Sequence, residues 1–96
     1  MRADYDSEGD TIEIELEVVD QLDRGVDLGG AVVHLADGRP VVIDVLSASK
    51  GVEDPLTEVA SRFDLDAEVL IAAARSALAV PDRQVTLKVA APRVAI

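Results

Sequence analysis

The chain has no cysteine and no tryptophan, and Tyr5 and Phe63 are its only aromatic residues. The first absence excludes disulfides and thiolate metal sites. The second means that a core must be built from Val, Ile, Leu and Ala. It also removes the stacking platforms on which single-stranded nucleic acid is held. No run of 18 apolar residues is present, and the opening MRADYDSEGD lacks the apolar segment of a signal peptide. A soluble, cytoplasmic protein is the expectation, with no membrane partner. Positive charge is also scarce: nine Lys and Arg stand against nineteen Asp and Glu.

What is there is one domain's worth of chain, 96 residues, nearly half apolar and 29% charged, a globular composition and not a disordered one. Arg outnumbers Lys, and Ala and Asp are abundant, the usage of a GC-rich bacterial coding sequence. The charge is uneven. Residues 1–28 hold ten acids against Arg2 and Arg24, whereas residues 29–96 hold nine acids against seven bases. Such a field repels phosphate backbones and attracts basic surfaces. Direct nucleic-acid binding needs the cations that this chain lacks.

Hydrophobic periodicity predicts an α+β fold: an antiparallel β meander of about five strands over residues 1–50, two helices over 53–80 forming a hairpin, and a last short strand over 84–89. Residues 2–6 read as a strand and 7–10 as a turn. From Ile12 to Val18 apolar residues alternate with Glu13, Glu15 and Glu17, the pattern of a half-buried strand with an anionic outer face. Val26 to Leu28 is a short strand ended by Gly29-Gly30. Residues 31–36 and 41–46 are strands joined through Asp37-Gly38-Arg39, and Asp-Gly between apolar runs is a hairpin signal. Both strands carry apolar residues at consecutive positions, so each face needs cover. Asp54-Pro55 is the expected helix start, Asp as N-cap and Pro at the first helical position. Asp64 or Asp66 caps a second helix over 67–79, stopped by Pro81. That helix, AEVLIAAARSALA, is apolar nearly all round, which predicts burial on more than one side. A core this small cannot hide so much, so a homodimer is expected.

Two stretches carry a resemblance. Tyr5-Asp6-Ser7-Glu8-Gly9-Asp10-Thr11-Ile12-Glu13-Ile14, and the block from Asp37-Gly38 to Ser49-Lys50, together resemble a bacterial family of small β-rich domains of unknown function. Its members open Y-D-x-E-x-D-x-L-Y-I and continue D-G-x-V-V-G-I-E-I-L-x-A-S. The likeness covers about residues 2–50. Glu13 replaces the family's second tyrosine and Val42 its glycine, and the helical half lies outside the pattern. The resemblance implies an antiparallel meander followed by a helix, and no activity, cofactor or catalytic residue. Some members are regarded as antitoxins acting beside ribonuclease-like toxins. Tyr5, Asp6, Glu8, Asp10, Asp37 and Gly38 are its motif residues. Structural work is expected of them: carboxylates bonding the turn's backbone, and Tyr5 at the sheet margin with a wet hydroxyl.

Three chemistries are worth weighing against that reading. Asp4, Asp6, Glu8 and Asp10 come nearest to a calcium loop, but a strand follows where an EF-hand needs a helix. Thr57 to Leu78 has the spacing of a helix-turn-helix, yet residues 53–80 hold six acids against two bases, the wrong sign for phosphate contacts. His34, the only histidine, with Asp44, Ser47 and Ser49 lacks any nucleophile motif. No catalytic site, no metal and no cofactor is therefore expected. The leading expectation is a non-enzymatic interaction module whose Glu13, Glu15, Glu17, Asp20 and Asp23 dock on a basic protein. The alternative is a small-molecule or metal-binding module with a pocket between sheet and helices.

Overall fold

The computed structural model describes residues 1–88. Six strands form one antiparallel sheet: β1 (Arg2–Asp6), β2 (Thr11–Glu15), β3 (Arg24–Asp27), β4 (Ala31–Ala36), β5 (Arg39–Val45) and β6 (Gln84–Thr86). Two helices, α1 (Glu53–Phe63) and α2 (Ala67–Ala79), lie between β5 and β6 in the chain. The α+β class is therefore as the periodicity predicts. The order across the sheet is β3-β4-β5-β2-β1-β6, so the meander is interrupted once: the chain leaves β2, crosses to the far edge, and returns as β3-β4-β5 to pair with β2. Val89 and the residues after it, assigned above to the strand end and tail, lie outside the described residues.

The β4–β5 hairpin closes on Ala36 and Arg39 with Asp37 at φ 51° and Gly38 at φ 76°. Two consecutive positive φ angles make the two-residue turn whose twist matches its strands. Farther along, the register slips between His34 and Leu35. Val41 thereby loses its opposite number on β4, and its carbonyl accepts from the N–H groups of both Leu16 (2.7 Å) and Glu17 (3.3 Å). This double bond turns the chain out of the sheet after Glu15, so the alternation predicted through Val18 stops early. Val18 is 73% exposed.

Both helices pack on one face. Ala3, Ile12, Ile14, Ala31, Val33, Ile43 and Val45 point from the sheet into one cluster with Leu56 and Val59 of α1 and Leu70, Ala73, Ala74 and Ala77 of α2. Helix α1 covers β4 and β5, and α2 covers β1 and β2. No polar or charged side chain is buried among the described residues. Helix α2 has the expected bounds. Of the two candidate caps, Asp66 is the one used: its carboxylate accepts from the N–H groups of Glu68 (3.0 Å) and Val69 (3.4 Å). Asp64 instead ends α1 at φ 54°. Two expectations need correction. The first helix begins at Glu53 with Val52 as an uncapped N-cap: the 3-10 turn over Ala48–Lys50 ends at Gly51 (φ 133°) and helical backbone resumes at Val52, so Asp54 lies inside the helix. Helix α2 also has a solvent side, with Glu68, Ala72, Arg75 and Ala79 exposed. Its alanines look apolar in sequence but expose little hydrocarbon each.

Candidate functional site on the open sheet face

The face opposite the helices has no layer over it. Strand parity puts Arg2 and Asp4 of β1, Glu13 and Glu15 of β2, Val42 and Asp44 of β5, Val32 and His34 of β4, and Gly25 and Asp27 of β3 on this side. Register then decides which of them meet. Asp4 stands directly opposite Glu13, and Glu13 directly opposite Asp44, so three carboxylates form a row across β1, β2 and β5. Like charges in directly opposed positions are destabilising. Two carboxyls of the row titrate above their ordinary values. Burial against neighbouring side chains comes first in pushing the Glu13 carboxyl above its ordinary value, with Asp4, Asp44 and Glu15 adding to it and His34 opposing. Burial likewise raises Asp4, helped by Asp6, Asp44 and Glu15.

A histidine and an arginine border the row. His34 Nε2 lies 2.7 Å from Asp44 Oδ2, both side chains being 26% exposed. The ring sits beside Gly25, where an added Cβ would come within 3.5 Å of its Nδ1. Arg2 lies 4.0 Å from Glu15, too long for a strong pair. Of the three residues grouped above with His34, the structure brings only Asp44 to it. Ser47 and Ser49 lie beyond the end of β5, past Asp44 and Val45, and Ser49 bonds Asp10 instead.

The chain between β2 and β3, residues 16–23, forms a wall beside this face. It is fastened at both ends. Arg39 donates from Nε and Nη2 to the Glu17 carboxylate at 2.8 Å each, Asp23 N–H donates to the Leu35 carbonyl, and the Asp23 carboxylate accepts from the Asp37 N–H at 2.6 Å. Between wall and sheet runs a groove of about 410 Å³, with Glu13, Glu15 and Asp44 along it, Val42 on its floor, and Val19 and Leu22 on its side. Of the five acids proposed for docking, Glu13 and Glu15 face the groove and Glu17 lines it while holding Arg39. Asp20 is exposed on the wall, and Asp23 serves the turn. Three participants went unassigned in the sequence: Asp4, read as part of a metal loop, Asp44, read only as a partner for His34, and Leu22. The alternation signal that found Glu13 also covers Asp4 and Asp44, but it needs the strand order.

The motif residues meet elsewhere. Asp10 accepts from the Tyr5 hydroxyl (2.8 Å), the Ser49 N–H (2.9 Å) and the Ser49 hydroxyl (2.6 Å), joining the opening block to the end of the second. The Ser49 hydroxyl bond, then the Tyr5 bond, holds the Asp10 carboxyl below its ordinary value. The Tyr5 hydroxyl, expected to face water, is thus engaged. Asp6 accepts from the Glu8 N–H at 3.1 Å, as the turn chemistry requires. Ser7 ties this turn to Asp82 through its hydroxyl (2.7 Å) and N–H (3.0 Å). Asp4 lies on the sheet face, Asp6 and Glu8 in the turn, and Asp10 toward Ser49. No group of acidic or histidine side chains among the described residues is arranged to hold a metal ion. A second concavity, of about 630 Å³, lies where the 3-10 turn meets both helices. It is lined in part by Ser49, Lys50, Pro55, Leu78 and the Arg75–Glu53 pair.

No described helix is long and apolar enough to cross a membrane. No family model, curated protein or solved structure matches the chain.

Proposed function

We propose that the protein is a non-enzymatic, cytoplasmic interaction module whose open sheet face docks on a basic protein surface. The observation that carries this reading is the carboxylate row. Asp4, Glu13 and Asp44 are set opposite one another at a cost in stability, on the face that no helix covers. A cationic partner would remove that cost on binding, and complementary charge would both speed encounter and select the partner. A ribonuclease-type toxin, as the resemblance of residues 2–50 suggests, is one basic surface of this kind. Nucleic acid and membranes of anionic lipid carry the wrong sign.

The test compares two variants of equal net charge. One neutralises the face (D4N/E13Q/D44N) and the other neutralises three helix acids (D54N/E58Q/E68Q). A basic protein from the native host that is retained by the helix variant and lost by the face variant supports the reading. Equal retention by both, or no basic partner at all, overturns it. Self-association is a separate proposal, and a mass that stays monomeric by light scattering through a micromolar dilution series would remove it. The alternative, a small-molecule module, has the concavity beside Lys50 and Arg75 in its favour. A ligand that raises the melting temperature and loses that effect in R75A would promote it.

A further inference from the structure

Resting on that reading, we infer that the groove beside residues 16–23 seats an extended segment of the partner that alternates arginine with an aliphatic residue. Charge alone does not explain the groove's wall. Leu22 is 48% exposed, and neither it nor Val19 packs against the core. Both line the groove, and Val42 forms an apolar floor with Glu15 on one side and His34 on the other. The wall is also fixed before any partner arrives, by Arg39 on Glu17 and by Asp23 on the Asp37 N–H and the Leu35 carbonyl. A preformed slot loses less on binding than one that must be ordered.

The walls choose the occupant. Glu13 and Glu15 call for cations, Asp44 being paired with His34, which also lines the groove, and the planar guanidinium matches a carboxylate with two bonds where an ammonium offers a point charge. Leu22 and Val19 on the wall call for aliphatic side chains on the side away from those cations. A second copy of this chain is a poor occupant, because two such faces would set carboxylate against carboxylate. An extended segment projects successive side chains to opposite sides, so one with arginine and leucine in turn sets its arginines toward the carboxylates of the sheet and its leucines toward Val19 and Leu22 on the wall.

The experiment uses two fluorescent heptapeptides, one alternating arginine with leucine and one alternating arginine with serine, titrated at low ionic strength and followed by anisotropy. The leucine peptide is expected to bind about tenfold more tightly, the gain from burying an aliphatic side chain. L22S, which leaves the core untouched, is expected to erase that preference while binding the serine peptide as the wild type does. E13Q/E15Q is expected to weaken both peptides. Equal binding of the two peptides to the wild type, or a leucine preference that survives L22S, overturns the inference and leaves the acidic docking face standing. If neither peptide binds, or E13Q/E15Q changes nothing, the docking face itself falls and the inference with it.

Discussion

The two faces of the sheet are built from the same strands and obey opposite rules. On the inner face the side chains at the middle of the sheet are aliphatic and fully buried, as Ile12, Ile14, Val33, Ile43 and Val45 show. On the outer face the alternate positions of the same strands bring Asp4, Glu13 and Asp44 into register with one another. A sheet selected for stability alone would interleave opposite charges there, since opposed pairs of opposite sign are favourable and of like sign are not. The inner face therefore accounts for why the chain folds, and the outer face departs from what folding would favour. Such departures are where function is sought, because a sequence that is consistent elsewhere concedes stability at the surface it uses.

The sharpest way to break this contrast is to truncate neighbours on opposite faces. Ile43 is fully buried and Val42 half-buried, one residue apart on β5. Ile43→Ala should cost about 2–5 kcal/mol, the combined loss of transfer energy and the cavity left behind. Val42→Ala should cost less than about 1 kcal/mol, since only part of its surface leaves water. Urea midpoints at constant m-value measure both. Equal losses would mean that the outer face is covered in solution, which is also how self-association through it would announce itself.

The inner face was largely legible in the sequence and the outer row was not, for a definite reason. Period-two alternation states which residues share a side of one strand, so Ile12 and Ile14 are assigned to the core without knowing their neighbours, whereas residues 41–46, apolar at consecutive positions, leave the inward turn of Ile43 and Val45 to the structure. The Asp37-Gly38 turn likewise pairs β4 with β5 by local chemistry alone. Helix α2 has the bounds that local signals predict, and the structure decides between Asp64 and Asp66 as its cap in favour of Asp66. The placing of Asp44 beside Glu13 depends instead on β5 returning across the sheet to β2, a long-range pairing that no local pattern encodes. The extent of β2 failed similarly. Glu17 and Val18 continue the alternation in sequence, but the Val41 carbonyl, delivered from β5 by a register slip, draws the chain away. Leu22 carried no signal at all, because a lone leucine in a polar loop is ordinary until a groove is found beside it.

A second prediction sharpens the claim that the outer row costs stability. Glu13→Gln should stabilise the protein at neutral pH by about 0.5 kcal/mol, within the range for opposed like charges and discounted for solvent screening. Asp4→Asn added to it should contribute little more, because removing Glu13 has already relieved its nearest repulsion. The pH dependence has a fixed sign. The Glu13 and Asp4 carboxyls are raised in the native state, so between the ordinary carboxylate value and the raised one the native state holds more protons than the unfolded chain. Wild-type stability should fall as pH rises through that window, and the benefit of Glu13→Gln should be complete above it and vanish below it. A benefit that persists under acid would show that repulsion is not its source.

The smallest effect expected concerns Arg2, which shares the outer face of β1 with Asp4 and lies 4.0 Å from Glu15. As an exposed pair it should contribute little directly, and Arg2→Ala should lower stability by only about 0.5 kcal/mol or less. What distinguishes it from any other surface arginine is salt. Removing Arg2 leaves Asp4, Glu13 and Glu15 without that counter-charge, so the loss should be measurable at low ionic strength and disappear when the screening length falls to a few ångströms in about 1 M salt. Repeating the substitution in the Glu13→Gln background separates two contributions: a loss that shrinks there belongs to the carboxylate row, and one that is unchanged belongs to the Arg2–Glu15 pair alone. The first outcome is expected, because the row spans β1, β2 and β5 as one charged surface, and it would extend the functional face to the β1 end of the sheet.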